Sequence, residues 1–276
     1  MNFGQICRDI KSLKIQGATN VARAGIQALK LKHDPASVKK IISLRPTEPA
    51  LRNAIKFSLK DMKNNPDKVL RHFDEAQKKI AEIGARKIPE DSIVFTHCHA
   101  STVTGILKEA FKTKKFEVYC TETRPMYQGR RTAIELAAAK IPVTMFVDSA
   151  ARYALKKADI MLIGADAILS SGKIANKIGS ELFAEVARKY DVPVLVCTDA
   201  WKFDPMTVWG YEEEMEKRET KEVWSNPPKG VKISNIAFEL VSPGLVTSII
   251  SELGVYSVEN FIIEVKKSYP WMFDVP

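Results

Sequence analysis

The sequence predicts an α/β protein: a helical N-terminal domain followed by a doubly wound, mainly parallel Rossmann-like sheet domain. Two observations carry this. Up to about residue 88 the apolar residues recur at helical spacing. After Pro89 short β-branched apolar runs alternate with helical segments, the punctuation of repeated βαβ units.

In the first part, Ile6, Ile10 and Leu13, then Val21, Ile26 and Leu29, mark two amphipathic helices, and further helices are expected over 49–63 and 66–86. Two interruptions are expected: IQGATNVARAG at 15–25, and SLRPTEPA at 43–50, where Pro46 and Pro49 force a non-helical connection. In the second part, SIVFTHC, FEVYCTE, VTMFVDS, IMLIGAD, VPVLVCTD and ISNIAFELV read as strands. Runs apolar at every position suit strands buried on both faces, as a parallel sheet covered by helices requires. The domains are therefore placed at 1–88 and 89–276.

The 276 residues are 45% hydrophobic and 27% charged, ordinary values for a globular chain with a packed core. No apolar run approaches the ~20 residues that span a membrane, and the opening MNFGQICRDIKSLK lacks a secretory signal's apolar centre. A cytoplasmic protein without membrane contact is expected. Cys7, Cys98, Cys120 and Cys197 are far apart and form no C-x-x-C pair, so they read as reduced thiols, not as a disulfide framework or zinc signature. The net charge of +9 favours anionic partners. It is spread along solvated helices such as 54–88 without an arginine-rich or aromatic-interleaved motif, so no direct nucleic-acid binding is expected. The charged stretch 211–222, YEEEMEKRETKE, reads as a surface helix or arm.

Ligands of open parallel sheets bind beyond the carboxyl ends of the strands, where helix N-termini converge. Here those ends are Thr96-His97-Cys98, Glu122-Thr123-Arg124, Asp148, Gly164-Ala165-Asp166 and Thr198-Asp199. Cys98 precedes Ser101 and Thr102, residue types that cap helices, and a helix N-terminus there would lower its pKa toward thiolate. His97 and His99 would point away from Cys98 by strand alternation, and two histidines lack a third metal ligand, so no metal is expected. Asp166 opens a Ser/Gly turn feeding a helix expected to start near Ile174, with Asn176, Lys177 and Gly179 on its first turns. Asp166 is a helix cap or, if desolvated, a general acid. Cys120 and Cys197 are assigned to the core.

THCHAS, TETRPMYQGRRTA, VDSAARYALKKADIMLIGADAI, GKIANKIGS and DAWKFDP resemble the family of the regulatory alpha, beta and delta subunits of translation initiation factor 2B. That family includes methylthioribose-1-phosphate isomerase and archaeal ribose-1,5-bisphosphate isomerase. The resemblance covers nearly the whole chain. It implies that Cys98 and Asp166 match the residues that carry aldose–ketose chemistry in the isomerases, with no cofactor. It places Arg45, Asn176, Lys177 and Lys202 at ligand contacts, with Arg124 and Gln128 of the TETRPMYQGRRTA segment. Gln16, Gly17 and Ala18 occupy the position of an Arg-Gly-Ala phosphate loop, so one charged donor is replaced by a neutral one. GKIANKIG opens on Ser170-Ser171-Gly172 where an Asn-Gly turn is usual.

Two readings follow from the resemblance. The preferred one is a regulatory subunit that binds a phosphorylated sugar or nucleotide and contacts the alpha subunit of initiation factor 2, supported by Gln16 and the charged arm. The alternative is a sugar-phosphate isomerase using Cys98 and Asp166, which a purely structural descendant has no chemical need to keep. The resemblance also implies a homodimer or higher oligomer.

Overall fold

The computed structural model describes residues 1–211 and 218–274; half of the charged arm, 212–217, lies outside the described residues. Five helices fill the first part: α1 (Phe3–Lys11), α2 (Ala18–Leu31), α3 (Pro35–Ser43), α4 (Pro49–Leu59) and α5 (Asn65–Ala85). The proline signals act as expected at 43–50, where the chain leaves the helix after Ser43 and Pro49 takes the first turn of α4. The interruption expected at 15–25 is shorter. Only the turn up to Gly17 breaks the helix, and α2 runs through Gly25 because that glycine lets Leu51 of α4 pack against its backbone.

The main sheet contains β1 (Ser92–Thr96), β2 (Phe116–Thr121), β3 (Val143–Phe146), β4 (Ile160–Ile163), β7 (Val194–Cys197), β9 (Ser248–Ser251) and β10 (Gly254–Tyr256). Its order is β10-β9-β7-β4-β1-β2-β3, all parallel except the β10 edge. Neighbours β1 and β4 stand where the winding reverses, the switch point at which ligands collect in this architecture. The connecting helices are α6 (Ser101–Ala110), α7 (Gln128–Ala138), α8 (Ala151–Leu155), α9 (Ser180–Lys189) and α10 (Val258–Ser268).

Alternation along the strands splits the core in two. Val94, Ile160, Leu162, Leu195, Cys197 and Ile250 face one layer with α5, α6 and α7. Phe95, Met161, Ile163, Val194, Val196 and Ile249 face the other, and their apolar core is continuous with that of α1, α2 and α4. The inner strands β4 and β7 are buried at every position, as unbroken apolar runs require, whereas the edge strand β3, read from VTMFVDS, exposes Thr144 and Met145. Cys120 and Cys197 are buried in these layers, and so is Cys7 of α1.

Two expectations are corrected. The segment around Ile174 is not a helix: β5 (Ala167–Ile168) and β6 (Ile174–Lys177) form an antiparallel hairpin around Gly172, whose φ is 81°. The last predicted strand, β8 (Phe238–Val241), pairs antiparallel with β6 in this second, three-stranded sheet and does not join the main one. Its own half-exposed residues cannot fill a site buried on both faces. The last parallel strand is β9, whose short SIIS run gives little signal in the sequence.

Candidate active site

One pocket lies at the carboxyl edge of the main sheet, at the β1/β4 switch point. Its lining brings together Cys98 and Asp166 with Gln16, Gly17, Ala18, Arg45, Gln128, Asn176, Lys177 and Lys202. Ten of the eleven residues expected from the sequence thus converge from seven segments. Arg124 is the exception. Thr123 takes a left-handed conformation (φ 63°), its N–H and that of Arg124 donate to the Asp148 carboxylate at 2.7 Å each, and the Arg124 guanidinium turns outward to the Tyr127 hydroxyl and the Val223 carbonyl.

Cys98 does not belong to a strand. β1 ends at Thr96, and Cys98 sits at φ 67°, a costly conformation for a non-glycine residue that persists only where its surroundings impose it. They do so at both backbone groups. Cys98 N–H donates to Thr123 Oγ1 at 3.0 Å, and its carbonyl accepts from the Thr132 hydroxyl at 2.8 Å. Strand alternation therefore does not apply, and the two flanking histidines separate. His97 is buried beneath the site, its Nε2–H donating to the Ile178 carbonyl at 2.9 Å, which leaves Nδ1 to accept from the Thr121 hydroxyl. His99 lines the pocket, 3.0 Å from Thr132 Oγ1.

The expected lowering of the Cys98 pKa toward thiolate is also corrected. Helix α6 begins at Ser101 with Ala100 as its cap residue and no side-chain cap bond, while the Thr102 hydroxyl donates to the Cys197 carbonyl. Burial outweighs any help from that helix and pushes the Cys98 thiol up to about 11, with the Lys177 ammonium the largest opposing influence and the Asp166 and Asp148 charges adding to the rise. Burial likewise pushes His97 down to about 4, so it is a neutral, structural ring at ordinary pH.

Asp166 follows β4 through Gly164 and Ala165, and its N–H donates to the Ala175 carbonyl at 2.8 Å, which ties it to the hairpin strand carrying Asn176 and Lys177. Gly164 is required: a Cβ there would lie 2.6 Å from that of Ala100, on the loop leading from Cys98. Lys202 is buried and donates from Nζ to the Ala165 carbonyl at 2.6 Å. Lys177 crosses the Phe238 ring at 4.3 Å. Arg45 pairs with Glu48 at 2.9 Å, and Arg218 with Glu222. The pocket is thus rich in cations and held between the N-terminus of α2, the sheet edge and the 218–238 segment.

The sequence reasoning missed Arg131, Asn20, Arg218 and Asn235, which also line the pocket. Arg131 stands one turn after Gln128 on α7, so the helical i, i+3 relation identifies it once Gln128 is assigned. Asn20 follows the Gln16-Gly17-Ala18 turn on α2. Arg218 and Asn235 come from a covering segment that no strand-end rule reaches.

A family model described as "Initiation factor 2 subunit family" matches residues 14–258. The ribose 1,5-bisphosphate isomerase of Methanocaldococcus jannaschii is 34% identical over 95% of this chain and 94% of its own. The enzyme of the same name from Pyrococcus furiosus is 32% identical over 98% and 94%. Among solved structures, the Pyrococcus horikoshii translation initiation factor eIF-2B superposes with a TM-score of 0.83 at 27% identity, over 92% of this chain and 96% of that one.

Proposed function

Because the chain belongs to the initiation factor 2 subunit family, and relatives at 34% and 32% identity are named ribose 1,5-bisphosphate isomerase, we propose that it isomerises a phosphorylated aldopentose to its ketose. The observation that carries this reading is the convergence of Cys98 and Asp166 in one pocket edged by Lys177, Lys202 and Arg131. The cations suit a phosphorylated sugar, and the thiol and carboxylate suit proton transfer at its carbons.

In this reading the pair shares one proton. Burial keeps it on sulfur at rest, and its transfer to the carboxylate, with Lys177 stabilising the thiolate, gives the working form. Asp166 then protonates the ring oxygen, and the C1–O bond breaks. The thiolate takes the C2 hydrogen as a proton, whose bonding electrons form the C1=C2 double bond of an enol. Cys98 returns that proton to C1 while the Asp166 carboxylate removes the proton of the C2 hydroxyl, giving the 2-ketose and restoring the pair. A site shielded from water prevents loss of the enol.

Purified protein incubated with ribose 1,5-bisphosphate and followed by NMR is expected to form the ketose, with Cys98→Ser and Asp166→Asn each lowering kcat by at least about a hundredfold. Absence of turnover in the unaltered protein defeats the reading. A second reading, a regulatory subunit contacting the alpha subunit of initiation factor 2, is supported by the likeness to the Pyrococcus horikoshii factor. A stable complex with that subunit, without turnover, would favour it. Both readings fit a homodimer or higher oligomer in the cytoplasm.

A further inference from the structure

A second cluster of reactive side chains lies outside the pocket, where the helical layer meets the sheet edge. His72 on α5, Asp199 just after β7 and Glu252 between β9 and β10 each offer a ligand atom, and these atoms lie within 4.8 Å of one another. His72 Nε2 stands 3.4 Å and 3.3 Å from the two Asp199 oxygens. Asp199 is buried, and the other two are partly so. Among the described residues no lysine or arginine lies within 4.0 Å of either carboxylate. Two neighbouring carboxylates in a low-dielectric setting repel, and an imidazole is the only cationic group the cluster can supply.

The surroundings hold these ligands in place. The Ala200 N–H donates to Glu252 at 3.0 Å, and the Tyr269 hydroxyl donates to its other oxygen at 3.0 Å. The His72 ring stacks on Trp201 at 4.1 Å, with 17° between the planes. The indole N–H of Trp201, 3% exposed, has no acceptor among the described residues; such a donor does not face a cation itself, but it can donate to the oxygen of a water bound to one. Imidazole nitrogen with two carboxylates, each backed by an outer hydrogen bond, is a donor set that borderline divalent cations take.

We propose that His72, Asp199 and Glu252 form a binding site for a divalent cation of the Zn2+ type, joining helix α5 to the carboxyl edge of the sheet. A small inward movement brings the three donors to the ~2.0 to 2.2 Å such an ion requires, and a water supplies the fourth position. Asp199 also heads the turn Ala200–Lys202, accepting from the Trp201 N–H at 2.8 Å. The ion would therefore anchor the turn that sends Lys202 into the pocket. The proposal does not depend on the chemistry assigned to that pocket.

Protein stripped with EDTA and titrated with Zn2+ by calorimetry is expected to bind one ion per chain with a rise in Tm, and Co2+ is expected to give a tetrahedral visible band. His72→Gln and Glu252→Gln should abolish the band, Tyr269→Phe should weaken binding about ten- to a hundredfold, and Cys98→Ser should leave it unchanged. No binding by the unaltered protein overturns the site and leaves a hydrogen-bonded His–Asp cluster. Binding that survives both ligand substitutions overturns it too. Glu252→Gln, between two strands at the partly exposed side, decides the matter if the His72 variant does not fold.

Discussion

Cys98 is a thiol whose reactivity is set by opposing neighbours. With its pKa pushed up to about 11, modification by iodoacetamide at this residue is expected to accelerate about tenfold per pH unit above neutrality, as the thiolate fraction grows. Lys177→Gln removes the main influence that lowers the value and should slow the reaction at fixed pH. Asp166→Asn removes one that raises it and should quicken it. Peptide mapping of the labelled protein measures both, and equal rates in the two variants would refute the assignment of charges. At this scale much was legible. Polar residues at strand ends located Cys98 and Asp166, because a parallel sheet must present those positions to its ligand edge, whereas Lys202 came only from the family resemblance. What was not legible was conformation. Nothing in the letters THCHAS reveals that Cys98 leaves the strand at positive φ, so the thiol's state and the separation of His97 from His99 were both misread. Arg124 failed for the same reason, since the left-handed Thr123 turns it away.

Among the elements, the contact between α7 and β2 is the least forgiving. A Cβ on Gly129 would fall 1.7 Å from the Thr121 carbonyl oxygen, and that backbone cannot retreat because β2 is paired on both sides. Gly129→Ala is therefore expected to cost at least about 2 kcal/mol, read as a lower urea midpoint, and an unchanged midpoint would show that the helix can move away. The inner strands β1, β2, β4 and β7 were readable because burial leaves nearly continuous apolar runs. The hairpin of β5 and β6 was not, since four residues of IANK satisfy a helical start and a strand equally. The decisive sign was Ser171-Gly172, where a positive φ closes the turn. Segment length fails in the same way for β9 and β10, which carry too few residues to show a period.

Over the whole molecule, His97 binds the two sheets together, through Thr121 of β2 on one side and the Ile178 carbonyl beyond β6 on the other. Its folded value of about 4 lies below the ordinary histidine value of 6.5. Between those values the unfolded chain holds the extra proton, so stability is intact above about pH 6.5 and falls as the pH drops toward 4. The full loss from this group is about 3 kcal/mol. Urea unfolding across that range should show a shallower pH slope for His97→Asn than for the unaltered protein, and parallel slopes would assign the acid sensitivity elsewhere. The placing of β1 beside β4 also has a consequence in time. β1 can pair with β2 as soon as one helical crossover is made, whereas β4 arrives only after β3 and α8, and non-local pairing of this kind is slow. Until β4 docks, Cys98 lacks the wall that Asp166, Gly164 and the hairpin provide, and a chain still emerging from the ribosome carries it as an ordinary exposed sulfhydryl. Completion of the sheet is thus expected to slow alkylation of this residue relative to the unfolded chain, without closing it off from the pocket.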